Sequence, residues 1–173
     1  MKTIITSVAV AFTLALSARA ADVSVKLSGV HLCCGSCVKG VEAAVAKVAG
    51  ATATVDKDAG TVSLSGADKA IVQKAADSLV SAGYFGTSSE PGFKLNAHSG
   101  AKGHMVKSLK VSEVHLCCGK CVTAVNEAIK AVPGVQGNTA AKGVETFEVT
   151  GDFNDKEIFA ALHKAGLTGK VAK

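Results

Sequence analysis

All six cysteines of the chain stand in two matching frames, His31-Leu32-Cys33-Cys34-Gly35-Ser36-Cys37 and, 84 residues on, His115-Leu116-Cys117-Cys118-Gly119-Lys120-Cys121. In each frame the last two cysteines are spaced i, i+3 at the start of a helix-like segment. That spacing lets both sulfurs point at one spot, where free backbone N–H groups and the positive end of the helix dipole face them. These fields favour the thiolate, so the thiols are expected to ionise below the free value of ~8.5. Thiolate sulfur selects Cu(I), Zn(II), Cd(II) or Hg(II) over the oxygen-seeking Mg(II) and Ca(II).

Each triplet must be held by a strand before it and a helix after it, and the hydrophobic pattern supplies both. Val23, Val25 and Leu27 alternate with Ser24, Lys26 and Ser28, as in a half-buried strand. Beyond the first triplet, Val38, Val41, Ala44, Val45 and Val48 recur at helical spacing, and Gly50 ends the run. Residues 51–55 read as a second strand and Val62 with Leu64 as the inward residues of a third, around the turn Asp56-Lys57-Asp58-Ala59-Gly60. A second helix over 68–82 carries Ile71, Val72, Ala75, Leu79 and Val80, with a short last strand over 84–87. The order is β-α-β-β-α-β.

The pattern then repeats. Leu109 and Val111 match Val25 and Leu27, and Val122, Val125, Ala128, Ile129 and Val132 match the first helical face. Past Pro133-Gly134 the register drifts by about a residue before Phe147 to Gly151 answers Val62 to Gly66. The expected fold class is therefore α+β, two tandem units over 22–87 and 106–173. Each has about 65 residues, a size at which a core is thin. Between them, 88–105 is rich in Ser, Gly and Lys and lacks periodicity, as a flexible linker would be. A free coil of that length spans ~20–25 Å, enough for the units to face each other.

Residues 1–20 read as a secretory signal peptide: Lys2, an apolar run over 4–16, and Ala18-Arg19-Ala20 before the cleavage point. Export to the periplasm or beyond is the expectation, with no membrane span in the mature chain. Removing Lys2 and Arg19 lowers the formal charge from +5 to +3. No basic stripe interleaved with aromatic residues accompanies that small excess, so nucleic acid is not an expected partner.

Strand, Leu32-Cys33-Cys34-Gly35-Ser36-Cys37 and a Val/Ala helix within such a unit resemble the heavy-metal-associated domain, whose motif is Met-x-Cys-x-x-Cys. Ala82-Gly83-Tyr84 is similar to the Ala-Gly-Tyr that bacterial members place beside the metal. The resemblance implies a ferredoxin-like fold and ligand pairs Cys34 with Cys37 and Cys118 with Cys121. The implied job is capture or hand-over of a thiophilic ion, Cu(I) or Zn(II) foremost, with a metal transporter or acceptor protein as partner.

The chain departs from the family pattern at Leu32 and Leu116, which replace its Met, and at Leu167, which replaces the loop tyrosine of the second unit, so the two sites should differ. Cys33 and Cys117 occupy a position that is ordinarily not a ligand, and they either ligate or point away as small hydrophobes. Three thiolates suit trigonal Cu(I) or Hg(II); adding His31 or His115 gives a Cys3His tetrahedron for zinc. Those two histidines are read first as hydrogen-bonding groups at a strand end. His98, His104 and His163 are read as surface residues, and Tyr84 as core filler or a group behind the metal.

No nucleophile–base pairing or phosphate-binding loop is present, so a binding protein rather than an enzyme is expected. Thiol–disulfide exchange is the rival, because Cys-Gly-x-Cys at a helix start also serves redox sites. Each unit lacks the strand-helix-strand prelude of the thioredoxin type, however, and adjacent cysteines sit only ~3.8 Å apart at Cα, too close for a relaxed disulfide.

Overall fold

The computed structural model describes residues 22–172; the expected signal peptide lies outside them. In the N-terminal half, β1 (Val23–Ser28), α1 (Gly35–Val45), β2 (Thr52–Asp56), β3 (Thr61–Gly66), α2 (Lys69–Ser81) and β4 (Thr87–Ser88) follow in order. In the C-terminal half come β5 (Met105–Ser112), α3 (Gly119–Lys130), β6 (Val135–Asn138), β7 (Thr146–Asn154), α4 (Asp155–Lys164) and β8 (Lys170–Val171). The sheets run β2-β3-β1-β4 and β6-β7-β5-β8, antiparallel throughout. This is the ferredoxin-like split βαβ arrangement, an α+β fold, in both halves.

The alternation of β1 buries Val25 and Leu27 on the face that meets the helices, where Val41, Ala44, Val45, Val72, Ala75 and Leu79 close the core. Leu109, Val111, Val125, Ile129, Ile158 and Leu162 do the same in the second half. Asp68 caps α2 by accepting from Ile71 N at 2.8 Å, and Asn154 caps α4 by accepting from Lys156 N at 3.0 Å. The drift in the repeat is a structural irregularity: the pairing of β6 with β7 shifts between Val135 and Gly137, and that of β5 with β7 between Val106 and Ser108.

Two expectations change. The last strand of the first half begins at Thr87, not Tyr84, because Tyr84 instead bridges Leu167 of the other half. Residues 88–105, expected as a free coil, are tied down by polar contacts, and Phe93, Leu95 and Ala101 pack against the core without a periodic pattern. Ser89 N donates to Lys26 O, Asn96 Nδ2 to Asp77 Oδ1, and Val171 N to Ser99 O. The buried Asp155 carboxylate accepts from the backbone N–H groups of Lys102, Gly103 and His104 at 2.9, 2.6 and 3.1 Å. Burial opposes its ionisation, but those N–H groups outweigh the cost and hold its pKa below the ordinary value.

The two halves meet through the loops after α2 and α4. Phe85 N donates to Gly166 O at 3.1 Å, and in mirror fashion Thr168 N donates to Gly83 O at 3.0 Å. His31 N also donates to Gly166 O, at 3.2 Å. Both glycines have positive φ, +86° and +75°, and a Cβ at either would stand 2.4 or 2.5 Å from the backbone nitrogen of His115 or His31. Only glycine lets the loops approach so closely. Their approach brings the two cysteine frames face to face.

Candidate metal centre

Cys34 and Cys118 are the N-cap residues of α1 and α3, with extended backbone (φ −160° and −152°), and neither side chain forms a capping hydrogen bond. The cysteine three residues on, Cys37 or Cys121, lies in the first turn, fully buried. Cys33 and Cys117 are half-buried and do not point away from the site. Cys33 Sγ lies 3.6 Å from Cys37 Sγ in its own half, and 3.4 and 3.5 Å from Cys118 and Cys121 Sγ in the other. Cys117 Sγ lies 3.6 Å from Cys121 Sγ, and 3.7 and 3.8 Å from Cys37 and Cys34 Sγ across the junction. Cys34–Cys118 and Cys37–Cys121 complete the cross-half approaches, both at 3.9 Å. All six sulfurs therefore share one cage, and all six are free thiols.

The expectation of acidic thiols holds at the rim and reverses inside. The backbone N–H of Cys37 is the largest influence on Cys34 and brings its thiol down to about 6; the N–H of Cys121 lowers Cys118 in the same way. For Cys33, Cys117 and Cys121, burial dominates and pushes the thiols up. Several thiolates this close repel one another and need a cation to coexist.

The two histidines flanking the cage are unlike. Tyr84 Oη donates to the Cys37 carbonyl at 2.9 Å and lies 3.0 Å from His115 Nε2. The single hydroxyl proton goes to the carbonyl, so the imidazole donates Nε2–H and keeps its lone pair on Nδ1. His31, the counterpart of His115, has a buried Nε2 with no partner, since Leu167 stands where a second tyrosine would be. Gly40 belongs to the same asymmetry: a Cβ there would stand 2.2 Å from Tyr84 Oη, whereas its counterpart is Ala124. Burial lowers the pKa of both histidines, keeping them neutral. Burial also raises that of Tyr84, helped by the sulfur charge nearby.

His163, read from the sequence as a surface residue, is half-buried. It stacks on Phe85 with ring centroids 3.9 Å apart, and its Nε2 lies 3.0 Å from Thr168 Oγ1. The contact follows from the pairing of the loops after α2 and α4, which hydrophobic periodicity does not reveal.

Among the described residues, three clusters each hold donor atoms within 4.8 Å of one another: Cys37, His115, Cys117 and Cys121; His31, Cys33 and Cys121; and Cys33, Cys34 and Cys118. Ideal tetrahedral zinc with Zn–S of ~2.3 Å has sulfur–sulfur edges of about 3.8 Å. The observed edges bracket that value, so thiophilic d10 cations fit the donor set.

No protein-family description and no curated protein matches the chain. Among solved structures, it is similar to one described as "Crosstalk between Cu(I) and Zn(II) homeostasis", at 23% identity over 39% of this chain and 100% of that one, TM-score 0.36. It is similar to oxidized MerP from Ralstonia metallidurans CH34 at 23% identity over 39% of this chain and 97% of that one, TM-score 0.36. It is also similar to the N-terminal soluble domains of Bacillus subtilis CopA, at 14% identity over 88% of this chain and 95% of that one, TM-score 0.32.

Proposed function

We propose that this chain is an exported binding protein for a thiophilic ion, Cu(I) or Zn(II), built from two units of the heavy-metal-associated kind and acting by capture, buffering or delivery. The observation that carries the reading is the convergence of Cys33, Cys34, Cys37, Cys117, Cys118 and Cys121 from both halves, with Cys33 Sγ 3.4 Å from Cys118 Sγ.

Sulfur placement also gives a route in. The half-buried Cys34 and Cys118, with lowered thiol pKa values, offer ready thiolates to an arriving ion. The ion then passes by ligand exchange to the buried Cys37 and Cys121, whose sulfurs lie 3.7 and 3.8 Å from those of Cys34 and Cys118. Reversing the exchange at the rim hands it to a transporter or acceptor protein presenting thiolates of its own.

Binding of Cu(I) and Zn(II) to the reduced protein, measured under anaerobic chelator competition against a copy with all six cysteines changed to serine, tests the reading. Strong cysteine-dependent binding supports it. Equal, weak binding by both proteins overturns it, and catalysed insulin reduction by the wild type would then favour thiol–disulfide exchange.

A further inference from the structure

The six thiols are more than one d10 ion uses, since such ions take three or four donors. Two of the three donor clusters divide them without remainder; the third, His31 with Cys33 and Cys121, shares one sulfur with each of those two. Cys37, Cys117, Cys121 and a nitrogen of His115 lie within 4.8 Å of one another, and so do Cys33, Cys34 and Cys118. Each group draws from both halves, and neither coincides with a single Cys-Cys-Gly-x-Cys frame.

Within the first group the sulfur edges are 3.7, 3.9 and 3.6 Å, close to the ~3.8 Å edge of a zinc tetrahedron. His115 is prepared as the fourth ligand by what stands behind it. A metal-bound histidine characteristically donates its other ring N–H to a fixed acceptor, which sets tautomer and orientation. Tyr84 Oη, itself anchored on the Cys37 carbonyl, is such an acceptor for Nε2–H, leaving the Nδ1 lone pair free. The mirror position has no such device: Leu167 replaces Tyr84, and His31 Nε2 is buried without a partner. The second group holds only sulfur, with Cys118 Sγ 3.4 and 3.9 Å from Cys33 and Cys34 Sγ.

Building on the proposed metal-binding role, we infer that the cage is divided into two unlike sites across the halves. Cys37, Cys117, Cys121 and His115 hold a borderline divalent cation, Zn(II), as a tetrahedron. Cys33, Cys34 and Cys118 form an all-sulfur triangle for a softer ion such as Cu(I). Nitrogen in place of a fourth sulfur shifts preference toward the borderline ion, while a three-thiolate triangle suits the soft one. Tyr84 is a positioning residue for His115.

One equivalent of Zn(II) added anaerobically to the reduced, uniformly 15N-labelled full chain tests this by long-range 1H–15N spectra of the imidazoles. The expected result is a metal-bound shift at His115 Nδ1, retention of Nε2–H, and no change at His31. A shift at His31 instead, or at neither ring while the cysteines become protected from alkylation, overturns the division but leaves the metal-binding role standing. No protection of any cysteine by Zn(II) or Cu(I) overturns both. In a Tyr84→Phe variant, Zn(II) affinity should fall about 10–100-fold, the range for loss of a group behind a ligand. Cu(I) affinity should hold, and the free His115 ring should become a mixture of tautomers. An equal loss for both ions with no tautomer change assigns Tyr84 a purely structural role and overturns its part.

Discussion

Cys33 Sγ lies closer to Cys118 Sγ in the other half, at 3.4 Å, than to Cys37 Sγ in its own, at 3.6 Å. Cys33, whose role the sequence left open, thus makes the shortest sulfur link between the halves. A thiol pair at that separation needs only a small approach to reach the ~2.05 Å of a disulfide. Treatment of the metal-free protein with diamide should therefore join the halves: after proteolytic cleavage within 88–105, non-reducing electrophoresis should still show one species, and peptide mapping should recover Cys33 joined to Cys118. Loaded metal should suppress the cross-link. Bridges confined to one half would contradict the arrangement.

The rim and interior thiols should separate by pH. Cys34 ionises near 6, so its alkylation rate in the metal-free protein should rise with a midpoint there, with Cys118 also early. Cys33, Cys117 and Cys121 should resist alkylation until well above the ordinary thiol range. The signs for folding follow. The Cys34 contribution is complete above the unfolded thiol value and is lost as pH falls through about 6. The raised thiols act oppositely: above pH 9.0 the unfolded chain loses those protons while the folded one retains them, so metal-free stability falls as pH rises. Residue-resolved alkylation by mass spectrometry and denaturation midpoints across pH check both statements.

Gly40 and Tyr84 form a matched pair, as do Ala124 and Leu167. Gly40→Ala alone places a methyl 2.2 Å from Tyr84 Oη and should destabilise by about 1–3 kcal/mol through overpacking. In a Tyr84→Leu background the same change should turn neutral or favourable, because alanine gains up to about 1 kcal/mol over glycine inside a helix. A double-mutant cycle by urea denaturation reads the coupling; additivity would mean that the hydroxyl does not occupy that space.

Gly83 and Gly166 hold the halves in contact. Alanine at either position is strained at positive φ and meets the backbone of the opposing strand end, so both substitutions should pry the junction open. Small-angle scattering of the reduced protein should show a larger radius of gyration for Gly83→Ala and Gly166→Ala, with cross-half metal binding weakened. A compact variant with unchanged affinity would contradict this role.

The split between what could and could not be read in advance has a physical basis. The β-α-β-β-α-β order was legible because periods of 2 and 3.6 in Val25, Leu27, Val41 and Val45 directly report burial. That the sulfurs of Cys34 and Cys37, and of Cys118 and Cys121, approach each other was legible because spacing at a helix start fixes geometry locally. Whether Cys33 and Cys117 faced inward was not, since that depends on the other half, and the junction rests on backbone bonds of Gly83 and Gly166 that no side-chain pattern encodes. The tethering of 88–105 by Asp155 was hidden for the same reason: its partners are backbone N–H groups. The exchange of Tyr84 for Leu167 was visible as a difference between the halves. Its consequence, an anchored His115 and an unpartnered His31, emerged only when the halves were seen to cross.

The central claim is that one ion is held by sulfur from both halves at once. The reduced protein loaded anaerobically with 113Cd(II), a thiophilic d10 cation, allows scalar coupling from the metal to cysteine β-protons to be observed directly. The account predicts a 113Cd resonance coupled to Cys37 together with Cys117 and Cys121. Resonances that each couple only to Cys33, Cys34 and Cys37, or only to Cys117, Cys118 and Cys121, would contradict it.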